Sequence, residues 1–370
     1  MPQPQALPEN ERIAWAAWAS IVQIGPKKIE LLRVAFPSLA DAWKASDAEL
    51  RKALQREGKV TEAIIAAHAK LDPQKNWQAI TDAKVQVVTL LDDNYPALLK
   101  ETHDAPAVLF VRGTLPPAEQ TLLAVVGTRA FTDYGRQATD MLVQPLVKAG
   151  LGIVSGLALG IDGLAHEATL NAGGKTWAVM GTGVNLVYPP QHRDLAHRIV
   201  KEGGGLISEF PLGTTSLPHH FPLRNRIVAG MCTGTLVVEA GDKSGALLTA
   251  KLALDENREV FAIPGDISRS ASAGTNKFIR LGATLVRGAD DILVALNLAP
   301  VTDDRTVEKT SPPADNPEEQ IVIQHLVSGA KHVDELSRLC DCDPSVITST
   351  LVMLELKGRV HHLGGLTYRL

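Results

Sequence analysis

Three cysteines occur in 370 residues, Cys232, Cys340 and Cys342. They are too few and too unevenly placed for a disulfide framework or a four-ligand zinc site, so a reducing compartment is the simplest setting. Aromatic residues make up only 4% of the chain, which excludes a surface that stacks on bases throughout. No run of about 18 uncharged apolar residues occurs, and the N-terminal MPQPQALPENERIAWAAW has no basic stretch ahead of an apolar one. We therefore expect neither a membrane span nor a signal peptide, and a soluble, cytoplasmic protein. An excess of positive charge is missing too: 37 Lys and Arg stand against 41 Asp and Glu, for a net charge of −4. Whole-molecule attraction to nucleic acid or anionic membrane is absent, so phosphate binding has to come from a local cluster.

What is present is ordinary globular composition, 45% apolar and 21% charged, over a length that suggests two or three domains. Residues 1–84 are Ala-rich with helical periodicity, Trp15, Trp18, Ile21 and Val22 marking one apolar face. Within them Ile21-Val-Gln-Ile-Gly-Pro-Lys-Lys-Ile29 has the form of a helix, a tight turn and a second helix. This reads as a small helical domain of SAM or helix-hairpin-helix type, whose turn amides and lysines could hold one DNA phosphate, or as a plain helix connection with Lys27 and Lys28 solvated.

From 85 to 299 short apolar runs alternate with helical stretches. The expected strands cover 122–126, 152–154, 176–180, 206–208, 235–238, 260–263 and 284–286, with helices such as 134–148 and 245–257 between them. Near-continuous apolar strands are buried on both faces, and strand-helix alternation predicts an α/β fold: an extended Rossmann-like, doubly wound, mostly parallel sheet. Residues 300–317 carry four prolines and read as a linker. Residues 318–370 then give three helices and a hairpin around Gly364-Gly365, a winged-helix arrangement.

Ligands of an open parallel sheet bind beyond the carboxyl ends of its strands. Here those positions hold Gly127-Thr128-Arg129, Ser155-Gly156 running on to Asp162 and His166, Gly181-Thr-Gly183, Ser208-Glu209, and Glu239 with Lys243-Ser244-Gly245. Glycine lets a backbone approach a ligand, and amides at a helix start attract anions. Arg129, Lys175, Arg224, Arg226 and Lys243 fall at or beside these loops, although residues 121–298 carry 16 basic against 15 acidic side chains. Nucleotide fingerprints do not fit: Gly173-Gly-Lys-Thr176 lacks the spacing of a phosphate-binding loop, and Gly181-Thr-Gly183 lacks a third glycine. Asp162 and His166, four apart, could be a carboxylate and a general base; otherwise Asp162 caps its helix and His166 satisfies a buried loop carbonyl. Glu209 and Glu239 read as loop-ordering acceptors, and His219-His220 lack the partners of a metal site.

These motifs together resemble the DprA/Smf family: Val126-Gly-Thr-Arg129, Ser155 to His166, Gly181-Thr-Gly183 with Tyr188-Pro189, Phe221-Pro-Leu-Arg-Asn-Arg-Ile-Val-Ala-Gly230, Val238-Glu-Ala240 with Ser244-Gly-Ala-Leu247, and Ile263-Pro-Gly265. The resemblance implies a bacterial DNA-processing protein of natural transformation and competence, a homodimer that binds single-stranded DNA without sequence specificity. It also implies loading of RecA during recombination, displacement of single-strand-binding protein, no catalysis and no cofactor. The family's backbone-holding loop falls on Gly127-Thr128-Arg129, with Thr in place of Ser; its basic residue before the third strand falls on Lys175, and its Arg-Asn-Arg motif on Arg224, Asn225 and Arg226. Ser155, Gly156, Gly181, Lys243 and Ser244 complete the expected strand-binding set. Backbone contacts should dominate, with Trp177, Tyr188, Phe210 and Phe221 as stacking candidates and Trp177 and Phe221 expected in the core. The tail has seven acids against five bases, which favours a protein contact or weak duplex binding over sequence-specific reading. The competing reading is a nucleotide-processing hydrolase of the lysine-decarboxylase-like Rossmann family using Glu239 as its acid; a transcription regulator acting through the tail is a third.

Overall fold

All seven apolar runs expected as strands pair in one sheet. The computed structural model describes residues 7–55, 58–298, 317–326, 329, 331–357 and 359–369. In chain order the strands are β1 (Gln86–Thr89), β2 (Val108–Gly113), β3 (Leu122–Val126), β4 (Gly152–Ser155), β5 (Thr176–Val179), β6 (Gly205–Ser208), β7 (Gly234–Val237), β8 (Glu259–Ala262) and β9 (Thr284–Leu285). They lie in the order β1-β2-β6-β5-β4-β3-β7-β8-β9. The block from β6 to β9 is parallel throughout, whereas β2 pairs antiparallel with β6, and β1 with β2. Successive strands are added on one side of β3 as far as β6 and on its other side from β7 onward, which makes the edge beyond its carboxyl end the switch point of the sheet.

Alternation along β3 divides the core. Leu122, Ala124 and Val126 pack under one helical layer, Leu123 and Val125 under the other. Six helices precede the sheet: α1 (Glu9–Ala19), α2 (Pro26–Ala35), α3 (Leu39–Lys44), α4 (Asp47–Ala53), α5 (Lys59–His68) and α6 (Pro73–Asp82). Next come α7 (Ala97–Lys100), α8 (Asp133–Lys148), α9 (Ile161–Asn171), α10 (Arg193–Lys201), α11 (His220–Gly230), α12 (Gly245–Asp255), α13 (Ala273–Arg280) and α14 (Ala289–Ala295). Helices α11 and α12 cover the Leu122 face, and α8 and α9 the Leu123 face. The N-terminal helices bury Trp15 and Trp18 in a core that continues onto Phe110, Ala178 and Leu206 of the sheet, so residues Met1–Val301 form one compact unit. In the helix-hairpin-helix stretch, Gly25 caps α2 and Pro26 opens it, as proline does where no amide partner is needed. Lys28 donates to the Gln23 carbonyl at 2.8 Å and so closes its own turn.

The second unit, Thr302–Leu370, contains α15 (Pro317–Leu326), β10 (Lys331–His332), α16 (Val333–Cys340), α17 (Pro344–Leu356), β11 (His361–Gly364) and β12 (Thr367–Arg369). Its sheet runs β10-β12-β11, antiparallel, around a core of Ile323, Leu336, Ile347, Leu351 and Leu354. This is the expected winged-helix arrangement; the expected linker, 300–317, lies outside the described residues except for Pro317. Cys342 donates its thiol to the Cys340 carbonyl at 3.2 Å, a turn contact and not a disulfide. Among the described residues, no helix is long and apolar enough to cross a membrane.

Candidate nucleic-acid interface

A cleft of about 1220 Å³ opens beyond the carboxyl ends of the central strands. Three loops and one helix carry its polar and charged groups of interest. The β3–α8 loop contributes Gly127, Thr128 and Arg129, the β4–α9 loop Gly156, the β7–α12 loop Lys243 and Ser244, and α11 contributes Phe221, Arg224 and Asn225.

Backbone hydrogen bonds fix the first loop from both sides. The Thr128 amide donates to the Glu239 carbonyl at 2.7 Å, and the Ile161 amide to the Thr128 carbonyl at 3.2 Å. Gly127 has no room for a side chain, since a Cβ there would stand 2.5 Å from Ile161 Cγ1. Arg129 projects from this loop with its guanidinium 5.6 Å from the centroid of the Phe221 ring. It is exposed, a cation set over an aromatic face. Phe221, expected in the core, is instead half-buried in the cleft wall with Tyr188 at 5.9 Å. Trp177 is fully buried, its indole donating to the Thr114 carbonyl at 3.0 Å. Phe210, half-buried, stacks on His220 at 4.2 Å.

Helix starts add to the cations. Ser244 caps α12 by accepting from the Ala246 amide, so this helix begins at the cleft beside the exposed Lys243. Helix α9 begins there as well, at Ile161 behind Gly160. Amides at helix starts carry partial positive charge, so two helices and two flexible cations face the same space. Asp242 lines the rim as an exposed acid.

Arg224 and Asp162 line the cleft from beneath. Arg224 is 4% exposed; it bonds the Gly156 and Val179 carbonyls through Nη1, and Asn225 Oδ1 through Nε at 3.2 Å. Burial lowers its pKa to about 10, against the opposing pull of Asp162. Burial likewise pushes the Asp162 carboxyl above its usual range, opposed by Arg224 and by amide bonds from Ala158 at 3.4 Å and Gly156 at 3.1 Å.

The remaining residues singled out in the sequence stand elsewhere. Ser155 is buried, its hydroxyl donating to the Val125 carbonyl at 2.6 Å. Gly181 lies beneath Phe221 and accepts from His220 Nδ1 at 3.1 Å. Arg226 turns away and pairs with Glu209 and, at 3.3 Å, with Asp104. Glu209 is raised by burial, which outweighs Arg226 beside it. Lys175 is exposed at the amino end of β5, at the opposite edge of the sheet, its Cε near Gly203. Both Glu239 carboxylate oxygens accept from Thr132, the amide at 2.9 Å and the hydroxyl at 2.7 Å, and the residue is 1% exposed. A carboxylate spent this way orders the start of α8 and is poorly placed as the acid of a hydrolase.

His166 does not meet Asp162, nor does it satisfy a loop carbonyl. Its Nδ1 lies 2.7 Å from the Thr176 hydroxyl, which donates to the Ile153 carbonyl, so Nδ1 carries the proton and Nε2 is left bare and buried. Burial, with His192 and Arg224 nearby, lowers its pKa to about 3. Ser270, Ala271 and Ala273 also line the cleft, and the Ile263-Pro-Gly265 turn leading to them is the one mark of this in the sequence.

Comparison with known proteins agrees with this architecture. A family model described as DNA recombination-mediator protein A matches residues 86–297, and a DprA winged helix domain matches 306–365. Protein Smf of Synechocystis is 38% identical over 307 residues, covering 82% of this chain and 77% of its own. The X-ray structure of DNA processing protein A from Streptococcus pneumoniae superposes with a TM-score of 0.66 at 33% identity, covering 78% of this chain and 98% of that one. DNA processing protein A from Helicobacter pylori, whose structure is described for its single-stranded DNA binding mode, gives a TM-score of 0.52 at 27% identity, with 58% and 97% covered. With one family model matching over half of the chain and a second matching its tail, the chain belongs to the DprA/Smf family of DNA-processing proteins.

Proposed function

We propose that the protein binds single-stranded DNA in the cleft at the carboxyl edge of its sheet, holding the backbone without reading its sequence. The observation that carries this reading is the position of Arg129: exposed, set over Phe221, and flanked by Lys243 and the starts of α9 and α12. Phosphates meet cations and amides there, and a base can lie against Phe221 and Tyr188. The described mode of the Helicobacter pylori relative supports the same ligand. Family membership supports the rest: a cytoplasmic homodimer that loads RecA onto the strand during natural transformation and recombination, displacing single-strand-binding protein, with no catalytic step or cofactor. Pairing two clefts on one strand would multiply the modest affinity of each.

The test is competition between single-stranded and duplex oligonucleotides of the same sequence for the full chain. Single strands of unrelated sequence should compete equally, and duplex poorly. Preference for duplex, or release of free base from nucleoside monophosphates, would overturn the reading in favour of a regulator or a hydrolase.

A further inference from the structure

We propose that the buried pair Arg224 and Asp162 is a positioning device for the cleft, Arg224 acting on bound DNA through the loop it holds and not as a phosphate contact. The proposal rests on the reading of the cleft as a strand-binding site, and it separates Arg224 from Arg129, with which the family resemblance groups it.

The β4–α9 loop has an unfavourable backbone. Leu157, fully buried, has φ +56°, and Gly160 has φ +90°; the left-handed region costs a non-glycine residue free energy and persists where surrounding contacts over-determine it. Those contacts are explicit here. The Gly156 amide donates to Asp162 and the Gly156 carbonyl accepts from Arg224, so both sides of that residue are held. The Leu157 carbonyl accepts from His192 Nδ1 at 2.9 Å, and the Ala158 amide donates to Asp162. Gly160 then packs against the Thr128 carbonyl, where a Cβ would stand 2.2 Å away. Beyond it, the Ile161 amide bonds that same carbonyl. A continuous series of bonds thus runs from α11 through the loop to the residue before Arg129.

Arg224 has the geometry of a brace. Its Nε and Nη1 are engaged with Asn225 and two carbonyls, and its guanidinium fills the space where a Gly156 side chain would be, 2.4 Å from that Cβ position. Lysine offers a point charge without the planar fork that reaches several acceptors together. Arg224 and Asp162 grip the loop at separate atoms, and each pulls electrostatically on the other, so removing one weakens what opposes the burial of its partner.

The sign of one substitution separates brace from contact. Asp162→Ala removes a negative charge beside a polyanion site, which on electrostatics alone tightens DNA binding; a brace predicts weaker binding. With a fluorescent thymidine oligonucleotide and the full chain, we expect D162A and R224K each to bind about tenfold or more weakly. R224Q should keep the parent's dependence of affinity on salt, whereas R129A should lose about one unit of that slope. Hydrogen exchange without DNA gives an independent reading: the Gly156 and Ala158 amides should exchange at least tenfold faster in D162A and R224K, with α8 and α12 unchanged. If D162A does not fold, the isosteric D162N takes its place in both measurements. Parent-like or tighter binding by the Asp162 variant, full rescue by R224K, or unchanged exchange in the loop would overturn the proposal. A parent that binds no oligonucleotide would overturn the functional reading instead, with loop exchange still judging the brace.

Discussion

The two ends of one sheet differ more than the charge of the domain suggests. At the carboxyl edge, Arg129 and Lys243 stand beside helix starts, with Gly127, Gly156 and Gly160 packed too closely for a side chain. At the amino edge, Lys148 and Lys201 close the ends of α8 and α10, and Lys175 precedes β5. Cations at helix ends complement exposed carbonyls, so the amino-edge lysines have a local role that needs no ligand. Lysines therefore mean different things at the two edges, and what distinguishes the edges is the direction of the helices that meet them.

The winged-helix unit sharpens the point. Helix α17 contains no Lys or Arg and exposes Val346, Val352, Met353 and Leu356. A helix of that composition is poorly suited to a phosphate-lined groove. The basic residues of 318–370, Lys331, Arg338, Lys357, Arg359 and Arg369, all lie outside that helix.

Four measurements bear on this contrast. Arg129→Ala should have the largest effect, costing roughly 2 kcal/mol of single-strand affinity in an equilibrium titration. The second concerns His166, whose helix α9 spans the two edges. Its folded pKa of about 3 lies below the ordinary 6.5, so the unfolded chain takes up a proton that the folded one refuses. Its neutral form is fully tolerated above pH 6.5, and stability is lost as pH falls from there toward 3, by up to about 1.4 kcal/mol per pH unit. Urea unfolding of His166→Gln across that window should show a shallower pH slope than the parent. Phe221→Ala, removing the half-buried ring beneath Arg129, should weaken binding by roughly 1 kcal/mol without changing its salt dependence. Lys175→Ala should be smallest, below about 0.5 kcal/mol in the same titration. A Lys175 effect equal to that of Arg129 would place a strand contact at the amino edge and remove the asymmetry.

Much of this was legible because burial on both faces leaves a plain signature. The continuous apolar runs marked β3 to β9 nearly residue by residue, and glycine after β3, β4, β5 and β7 marked the carboxyl edge where the cleft opens. Strands β1 and β2 leave a weaker signature: Val108-Leu-Phe-Val111 lies between Pro106 and Gly113, but antiparallel addition at a sheet edge carries no strand-helix rhythm. Side-chain fate was least legible. Arg224 and Arg226, two apart on α11, point to different partners, one to the Gly156 carbonyl and the other to Glu209 and Asp104. Nothing local announces either contact, since Gly156 is 68 residues from Arg224 in sequence. His166 shows the same limit: its partner Thr176 comes from the next strand, not from its own helix.

The central claim is that Arg129 and Lys243 hold the strand backbone at the carboxyl edge. Its most direct test is the salt dependence of binding to a short single-stranded oligonucleotide by the full chain and by the Arg129→Ala, Lys243→Ala double variant. The slope of log affinity against log salt should fall by about two in the double variant. An unchanged slope would contradict it.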